Sequence, residues 1–352
     1  MIIINIDINN LKGGLREYIN ILYAINSINN DIDNINTLKE LSNKIEDINN
    51  IKELETVKED IINIENNTKT NQNNISNSYK ENLTQRELNL IKRGYSKEKV
   101  SLLCNYTEEN IHNITNIIIN NSINNCKRIK NPTCYFIGGQ PGCGKSTSLL
   151  KLKNSFSNDG VIEIGIDNYR AYHPNYSLIE EEINNHWINR NENENDSPGN
   201  DIADFTNDFA GKISDNVIKE LLNESNNYNL IIEWGMRTPN EPLELMKKLK
   251  ELNYNVIVYF VLVNKELSYK ASILRADSMK DMKHIIRKIP KSFHELCIEE
   301  LPDSCETIFK EGFVNNKYID NFTLITRDGE ILWNNSNTNP KSIYKEYLNK
   351  KI

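Results

Sequence analysis

The sequence predicts an α/β protein in which a mainly parallel sheet, flanked by helices, follows an all-helical N-terminal extension. Three observations support this fold class. Apolar residues recur at helical spacing from residue 11 to about 66 and again up to about 103, with almost no Gly or Pro. From about residue 105, short β-rich runs alternate with helical stretches, which is typical of a parallel sheet. A glycine-rich loop directly follows the first of these runs.

Length and composition narrow the class of protein. The 352 residues exceed the ~100 to 200 of a usual domain, so we expect a helical extension, 1–104, and a principal domain, 105–352. Hydrophobic residues make up 38% of the chain, but no apolar run approaches the ~20 residues of a membrane span. The net charge of -7 argues against a nucleic-acid partner. The first residues lack the pattern of a secretory signal, so we expect a cytoplasmic protein without a membrane partner.

The extension is predicted to consist of amphipathic helices. Its apolar positions form two sets, and the step between them breaks a heptad repeat, which favours a small bundle or hairpin over a coiled coil. These positions are Leu38, Leu41, Ile45 and Ile48, then Leu54, Val57, Ile61 and Ile64. The polar stretch 67–78 predicts a loop. Thr84 and Glu87 then have the spacing of a capping box, which predicts the start of a helix that reaches about Leu103.

Four β-rich runs, each followed by a helical stretch, predict the parallel strands. They are Cys134–Gly139, Val161–Asp167, Leu230–Gly235 and Val256–Val263. Residues 322–333 are interrupted at Arg327-Asp328-Gly329-Glu330, which predicts a terminal hairpin turning on Asp-Gly. Between His186 and Asp201 the chain is acidic and rich in Asn, and we expect a surface loop there.

The strongest chemical signal is the run Gly139-Gln140-Pro141-Gly142-Cys143-Gly144-Lys145-Ser146-Thr147, which satisfies the phosphate-binding pattern G-x-x-x-x-G-K-[ST] between a strand and a helix. Glycines let backbone N–H groups face a phosphate, Lys145 reaches the β- and γ-phosphates, and the Ser146 hydroxyl holds Mg²⁺. The alternative is a glycine-rich turn with a surface lysine. The strand and helix context favours a P-loop that binds a nucleoside triphosphate.

Two further strand ends carry acidic and basic residues. Asp167 ends the second run, where it would accept a proton from a hydroxyl group or help to order Mg²⁺; the alternative is a helix N-cap. Glu233 and Arg237 follow the third run and are expected on the same rim of the sheet. The alternative for this pair is a solvated acid with a surface arginine.

Taken together, these motifs resemble a known family. Gly-Gly-Gln-Pro-Gly-x-Gly-Lys-Ser, then Ile-Asp167-x-x-Arg-x-x-His-Pro, then Ile-Ile-Glu233-x-x-x-Arg237-Thr are similar to the motifs of the zeta toxins of epsilon/zeta toxin–antitoxin systems. The resemblance runs from Tyr106 to the carboxyl terminus. It implies a P-loop kinase that uses ATP or GTP with Mg²⁺ to phosphorylate the 3′-hydroxyl of the amino sugar of UDP-N-acetylglucosamine, which starves peptidoglycan synthesis.

The resemblance also implies roles for single residues. Lys145 and Ser146 correspond to the phosphate and Mg²⁺ residues, Asp167 to the general base, and Asp215 and Glu233 to substrate-binding acids. The same resemblance makes Arg237 a substrate-binding residue.

Two arginines correspond to the family's phosphate clamp, Arg275 in Ser-Tyr-Lys-Ala-Ser-Ile-Leu-Arg and Arg287 in Arg-Lys-Ile-Pro-Lys-Ser-Phe-His. Guanidinium groups stabilise the charge that spreads over a phosphoryl group in its transition state. The alternative for each is a solvated charge on a helix.

Two other functions stay open at this point. One is a P-loop kinase for another small-molecule hydroxyl acceptor, and the other is a nucleotide-gated interaction module. Because the family's antitoxin is a small helical protein, residues 1–104 are either an antitoxin fused in cis or a docking or oligomerisation module. Besides the substrate UDP-N-acetylglucosamine, the resemblance implies an antitoxin partner, which could also be a separate protein that acts in trans.

Overall fold

A computed structural model describes most of the chain. The described residues are 32–47, 53, 56–61, 63–64, 83–124, 126–148, 159–193, 195–223, 227–278, 289–335 and 338–350. The predicted loop at 67–78 lies outside them, as do Ile48 and Leu54 of the predicted apolar sets.

One six-stranded sheet forms the framework, with the strand order β2-β3-β1-β4-β5-β6. Its strands are β1 (Thr133–Gly138), β2 (Ile162–Gly165), β3 (Leu230–Glu233), β4 (Asn255–Leu262), β5 (Asn321–Thr326) and β6 (Ile331–Asn334). Across the sheet, the neighbouring strands β2, β3, β1, β4 and β5 pair in parallel, and β6 pairs antiparallel with β5. The predicted parallel sheet and terminal hairpin are therefore confirmed.

Ten α-helices have defined bounds in the described part of the chain, and residues 56–61 and 145–148 are helical as well. The ten helices are α1 (Ile32–Asp47), α2 (Gln85–Lys92), α3 (Lys97–Leu103), α4 (Glu108–Ile123), α5 (Tyr176–Trp187), α6 (Pro198–Leu221), α7 (Asn240–Glu251), α8 (Lys265–Ser278), α9 (Lys291–Ile308) and α10 (Pro340–Leu348). A 3₁₀ helix (Ile166–Tyr172) follows β2, and a π-helical segment (Phe309–Asn315) follows α9. None of the described helices is long and apolar enough to cross a membrane.

The chain divides into two compact units. The first contains residues 1–117, 169–182 and 204–210, and the second contains 118–168, 183–203 and 211–352, including the whole sheet. Helices α5 and α6 each contribute residues to both units. In the second unit, apolar side chains from β1, β3, β4 and β5 are buried together, as expected of strands in a parallel sheet covered on both faces.

The predicted helical character is confirmed for the described residues of the extension. On α1, Leu38, Leu41 and Ile45 are at most 6% exposed, so the apolar stripe faces inward. The second apolar set is represented by Val57, Ile61 and Ile64, which are helical and buried as well.

The capping box at Thr84 is present. Its Oγ1 accepts a hydrogen bond from the Glu87 amide at 3.3 Å, and the Glu87 carboxylate accepts one from the Thr84 amide at 2.5 Å. The predicted helical stretch consists of two helices, α2 and α3. Gly94 has φ +100°, a left-handed conformation that ends α2, and Ser96 then caps α3.

Helix α2 and the residues after it are held by polar and aromatic contacts inside the first unit. Asp204 accepts hydrogen bonds from Arg86 Nη1 at 3.1 Å and from Arg93 Nη2 at 2.6 Å. Tyr95 packs edge-on against Phe205, with ring centroids 5.2 Å apart. Because a carboxylate shared by two arginines makes charge-assisted hydrogen bonds, it ties this stretch firmly to residues 204–210.

Helix α3 is held at its carboxyl end by Asn175. The side-chain amide of Asn175 donates to the carbonyl oxygens of Leu102, Leu103 and Asn105 at 3.1 to 3.2 Å. Leu102 and Leu103 are in the last turn of α3, where a helix end leaves carbonyls without i+4 partners, and Asn105 follows directly after the cap residue. Residues from about 84 to 105 are therefore an integral part of this unit.

The acidic loop predicted between His186 and Asp201 is shorter than expected. Helix α6 begins at Pro198, because proline at the first helical position already has the required φ. Asp201 is fully buried, and its carboxylate accepts a hydrogen bond from Trp187 Nε1 at 2.7 Å. The prediction is wrong for residues 198–201, which composition alone placed in the loop, and for His186 and Trp187, which belong to α5.

Candidate active site

The carboxyl ends of three neighbouring strands meet at one edge of the sheet. Glu233 at the end of β3 is in register with Ile137 of β1 and with Gly165 of β2. The glycine-rich loop begins two residues after Ile137, and Asp167 lies two residues after Gly165. The structure therefore places the loop, Glu233 and Asp167 at the edge where ligands bind in open α/β sheets.

Three glycines of the loop have left-handed backbone conformations. Gly139, Gly142 and Gly144 have φ of +139°, +75° and +97°, values that residues with a Cβ rarely adopt. A Cβ on Gly142 would also collide with the carbonyl oxygen of Ser268. Residues 145–148 are helical, so the loop ends at a helix N-terminus with exposed Ser146 and Thr147.

A buried side chain anchors the loop from below. Gln140 is fully buried; its Nε2 donates to the Val263 carbonyl at 2.6 Å, and its Oε1 accepts from Tyr344 Oη at 3.3 Å. Burial raises the pKa of the Tyr344 hydroxyl well above its usual range, so this group stays protonated as a donor. The loop is thus attached both to the residues after β4 and to α10.

Cys143 fills the space beneath the loop. Its side chain is fully buried with Ile137, Ile231 and Val261. Burial raises the pKa of its thiol, although the nearby charge of Lys145 acts in the opposite direction. A protonated, buried thiol packs as a small apolar group.

Lys145 and Glu233 lie close together at this edge. Lys145 Nζ is 3.9 Å from Glu233 Oε1 and donates to the Gly139 carbonyl at 3.2 Å. The Lys145 side chain is only 14% exposed and that of Glu233 31% exposed. Solvent screens a charge at such a depth less than it screens a surface charge, so both groups act strongly on a bound anion or hydroxyl group.

Asp167 is on a 3₁₀ helix, and this position differs from the sequence prediction. Strand β2 ends at Gly165, two residues earlier than predicted, and Asp167 lies in the first turn of the segment Ile166–Tyr172. Its side chain is exposed on the rim. Since α5 begins only at Tyr176, Asp167 is not the N-cap of an α-helix.

Arg237 is oriented by a residue that the sequence analysis did not identify. Its Nη1 donates to the Glu300 carboxylate on α9. The preceding residue, Met236, has φ +53° and is fully buried, and its carbonyl accepts from Ser304 Oγ at 2.5 Å. Helix α9 therefore fixes the turn that carries Arg237.

The remaining predicted residues are described only partly. Asp215 lies on α6, where partial burial and the charge of Glu241 raise the pKa of its carboxyl group. Arg275 belongs to α8, but the structure describes nothing of its side chain, and Arg287 lies outside the described residues. The roles of these three residues stay predictions.

Arg327 contacts the loop and was missed as a site residue by the sequence analysis, which placed it only in a hairpin turn. Its Nη2 donates to the Gly142 carbonyl at 2.8 Å and its Nε to the Cys143 carbonyl at 3.4 Å. Strand β5 runs parallel to β4, so the β5–β6 turn lies at the same edge as the glycine-rich loop. That strand order is the signal that would have indicated Arg327.

Comparisons with known proteins identify the family of the chain. The family model described as Zeta toxin matches residues 119–338. "Toxin zeta" of Streptococcus pyogenes is 26% identical over 254 residues, which cover 71% of this chain and 80% of that protein. "Toxin PezT" of Streptococcus pneumoniae serotype 4 is 28% identical over 179 residues, 51% of this chain and 64% of that protein.

A solved structure supports the fold. It comes from the molecular and structural characterization of the PezAT chromosomal toxin–antitoxin system of Streptococcus pneumoniae, and it superposes with a TM-score of 0.58 at 22% identity. The superposition covers 70% of this chain and 91% of the other. With a P-loop at the carboxyl edge of a mainly parallel sheet and a family match over more than half of its length, the chain belongs to the zeta toxin family.

Proposed function

We propose that the protein is a kinase that transfers the γ-phosphoryl group of ATP or GTP to the 3′-hydroxyl of the amino sugar of UDP-N-acetylglucosamine, and that it acts as a toxin against cell-wall synthesis. The observation that carries this proposal is the meeting of the P-loop, Glu233 and Asp167 at one edge of the sheet. Membership of the zeta toxin family supports a kinase-like toxin. The identity of the acceptor as UDP-N-acetylglucosamine goes beyond family membership and is proposed from the resemblance of the motifs.

The nucleotide side of the site fits its proposed ligands. The left-handed glycines allow backbone amides of the loop to face a phosphate, and Lys145 would supply a partly buried positive charge for the β- and γ-phosphates. The exposed Ser146 hydroxyl at the start of the helix is suited to hold Mg²⁺. Mg²⁺ would neutralise charge that develops on the phosphate oxygens.

The acceptor side is assigned to acidic groups and one arginine. In the proposed reaction, the Asp167 carboxylate takes the proton of the sugar hydroxyl as the hydroxyl oxygen attacks the γ-phosphorus. The bond between the γ-phosphorus and the β,γ-bridging oxygen breaks, and ADP or GDP leaves. Glu233, Asp215 and Arg237 bind and orient the sugar nucleotide.

The clamping of the transferred phosphoryl group is assigned to Arg275 and Arg287. Guanidinium forks match the oxygens of a phosphoryl group, so they stabilise its transition state more than its ground state. This assignment rests on the family resemblance.

The acceptor is tested by incubating the purified protein with Mg²⁺, ATP or GTP, and a sugar nucleotide, then measuring the products by mass spectrometry. UDP-N-acetylglucosamine is expected to gain one phosphate, and UDP-glucose, which lacks the acetamido group, serves as the matched control. A Lys145→Ala variant should form the adduct far more slowly than the wild type. If ATP binds but no UDP-sugar is phosphorylated, the acceptor assignment is wrong, and another hydroxyl acceptor or an interaction module remains.

We also propose that the N-terminal extension restrains the kinase in cis, as a fused antitoxin. The contacts of Arg86, Arg93 and Asn175 make residues 84–105 part of the fold, so the restraining part would be residues 1–82. A tether gives a local concentration on the order of millimolar, at which even a micromolar contact is nearly always formed. The alternatives are docking or oligomerisation, with an antitoxin acting in trans.

Removal of residues 1–82 is expected to increase phosphoryl transfer and toxicity in a bacterium. A chain that starts at residue 99 is the control for structural damage, because it loses Arg93 and Tyr95 and should be less stable. Growth after induction and the initial rate of the purified proteins are the measurements. If the chain from residue 83 melts like the full chain but is no more active or toxic, restraint in cis is wrong.

A further inference from the structure

The turn between β5 and β6 touches the P-loop through one side chain. Arg327 donates from Nη2 to the Gly142 carbonyl and from Nε to the Cys143 carbonyl. We infer that Arg327 is a positioning residue of the P-loop, whose guanidinium group fixes two successive peptide planes so that the Gly144 amide is aligned for the nucleotide phosphates. This inference rests on the proposed function, since it assumes that the loop binds a nucleoside triphosphate.

Peptide geometry explains how a contact with a carbonyl sets an amide. A trans peptide is planar, so its C=O and N–H point in opposite directions. When Arg327 binds the Cys143 carbonyl, the N–H of Gly144 in the same peptide points away from Arg327. The peptide before it is fixed at both ends, because Arg327 holds the Gly142 carbonyl while the Cys143 amide donates to the Gln140 carbonyl at 3.2 Å.

The contact depends on the absence of a side chain in the loop. A Cβ on Gly144 would lie 2.6 Å from Arg327 Cγ and 2.8 Å from Nε. The aliphatic part of Arg327 therefore packs directly on the Gly144 backbone, while its guanidinium group reaches the carbonyls of Gly142 and Cys143. Gly144 thus permits both the left-handed loop conformation and the approach of Arg327.

The turn itself holds Arg327 in place. The Thr326 amide donates to the Glu330 carbonyl at 2.9 Å, and the Gly329 amide donates to the Thr326 carbonyl at 3.0 Å. Gly329 has φ +87°, as the tight turn requires. Because the hydrogen-bonded hairpin already orders the backbone at Arg327, only the rotamer freedom of the side chain is lost when it binds the loop.

Arginine is suited to contact two neighbouring carbonyls at once. Its planar fork presents donors at fixed spacing to two neighbouring acceptors, whereas lysine offers one compact ammonium group. The guanidinium also stays charged at every physiological pH, so it adds a permanent positive charge beside an anion site. Lysine at this position would retain the charge but not the two-carbonyl contact.

The test compares ATP binding and steady-state kinetics for the full chain and for Arg327→Ala, Arg327→Lys and Arg128→Ala. Arg128 is a matched control because it precedes the opposite, amino end of β1 and contacts Tyr228 Oη at 3.4 Å. Removing charge-assisted hydrogen bonds should weaken ATP binding ~10- to 100-fold in Arg327→Ala. In Arg327→Ala, the KM for ATP should rise by the same factor, and the KM for the acceptor should stay constant. The ATP affinity of Arg327→Lys should lie between those of the wild type and Arg327→Ala.

The outcomes separate this inference from the proposed function. If the wild type binds ATP and Arg327→Ala binds it as tightly as Arg128→Ala, the inference is wrong and the proposed function stands. If Arg327→Lys binds ATP as tightly as the wild type, the positive charge alone suffices, and the inference that the guanidinium group positions the loop is wrong. If Arg327→Ala does not fold, the ATP affinity of Arg327→Lys decides the test. If the wild type itself binds no ATP, the proposed function fails, and the inference fails with it.

Discussion

Asp167→Asn is expected to lower kcat for phosphoryl transfer by ~10²- to 10⁴-fold, the usual contribution of a general base. ATP affinity should remain nearly unchanged, because Asp167 lies on the 3₁₀ helix after β2 rather than in the P-loop. Asparagine has nearly the same shape but cannot accept the proton of the attacking hydroxyl. Stopped assays at saturating ATP and acceptor measure kcat, and equilibrium titration measures the affinity for ATP.

The matched control for this change is Glu251→Gln. Glu251 ends α7, just before the amino end of β4. The Glu251→Gln variant therefore loses a carboxylate charge at the edge of the sheet opposite to the candidate active site. Its kcat should equal that of the wild type. An equal loss of ATP affinity and kcat in Asp167→Asn would make Asp167 a metal-site residue instead of a base.

Lys145→Ala is expected to reduce kcat/KM by on the order of 10³-fold, because it removes a charge that stabilises the transferring phosphoryl group. The side chain of Lys145 is 14% exposed, so little water can replace its charge. Both ATP affinity and kcat should fall, in contrast to Asp167→Asn. Growth of a bacterium expressing this variant should match that of the empty-vector strain.

The control for Lys145→Ala is Lys310→Ala. Lys310 is 58% exposed and pairs with Glu306 one turn earlier, so its loss should change neither ATP binding nor kcat. Turnover by Lys145→Ala at the wild-type rate would contradict the assignment of the loop as the phosphate site.

Local signals in the sequence predicted much of the fold. The parallel strands are nearly continuous apolar runs because both faces of the sheet are covered, and such runs stand out from amphipathic helices. The capping box at Thr84 is likewise local. Strand ends were less accurate: Ile166 continues the apolar pattern of β2, yet it is 37% exposed and already belongs to the 3₁₀ helix.

Contacts between distant segments were beyond the sequence analysis. Arg327 is 184 residues from Cys143, Arg93 is 111 residues from Asp204, and Arg237 is 63 residues from Glu300. With 42 basic and 49 acidic residues in the chain, charge type does not identify such partners. The P-loop, Glu233 and Asp167 were found because their positions follow from strand ends, whereas Arg327 required the strand order.

The hydrogen bond from Tyr344 to Gln140 has a genetic consequence. Helix α10 is close to the end of the sequence, yet its fully buried tyrosine supports the loop proposed to bind the nucleotide. Under the proposed toxicity, bacteria that survive expression of the gene should carry inactivating changes along its whole length. Nonsense codons just before codon 344 should be among them, although they leave every proposed catalytic residue intact.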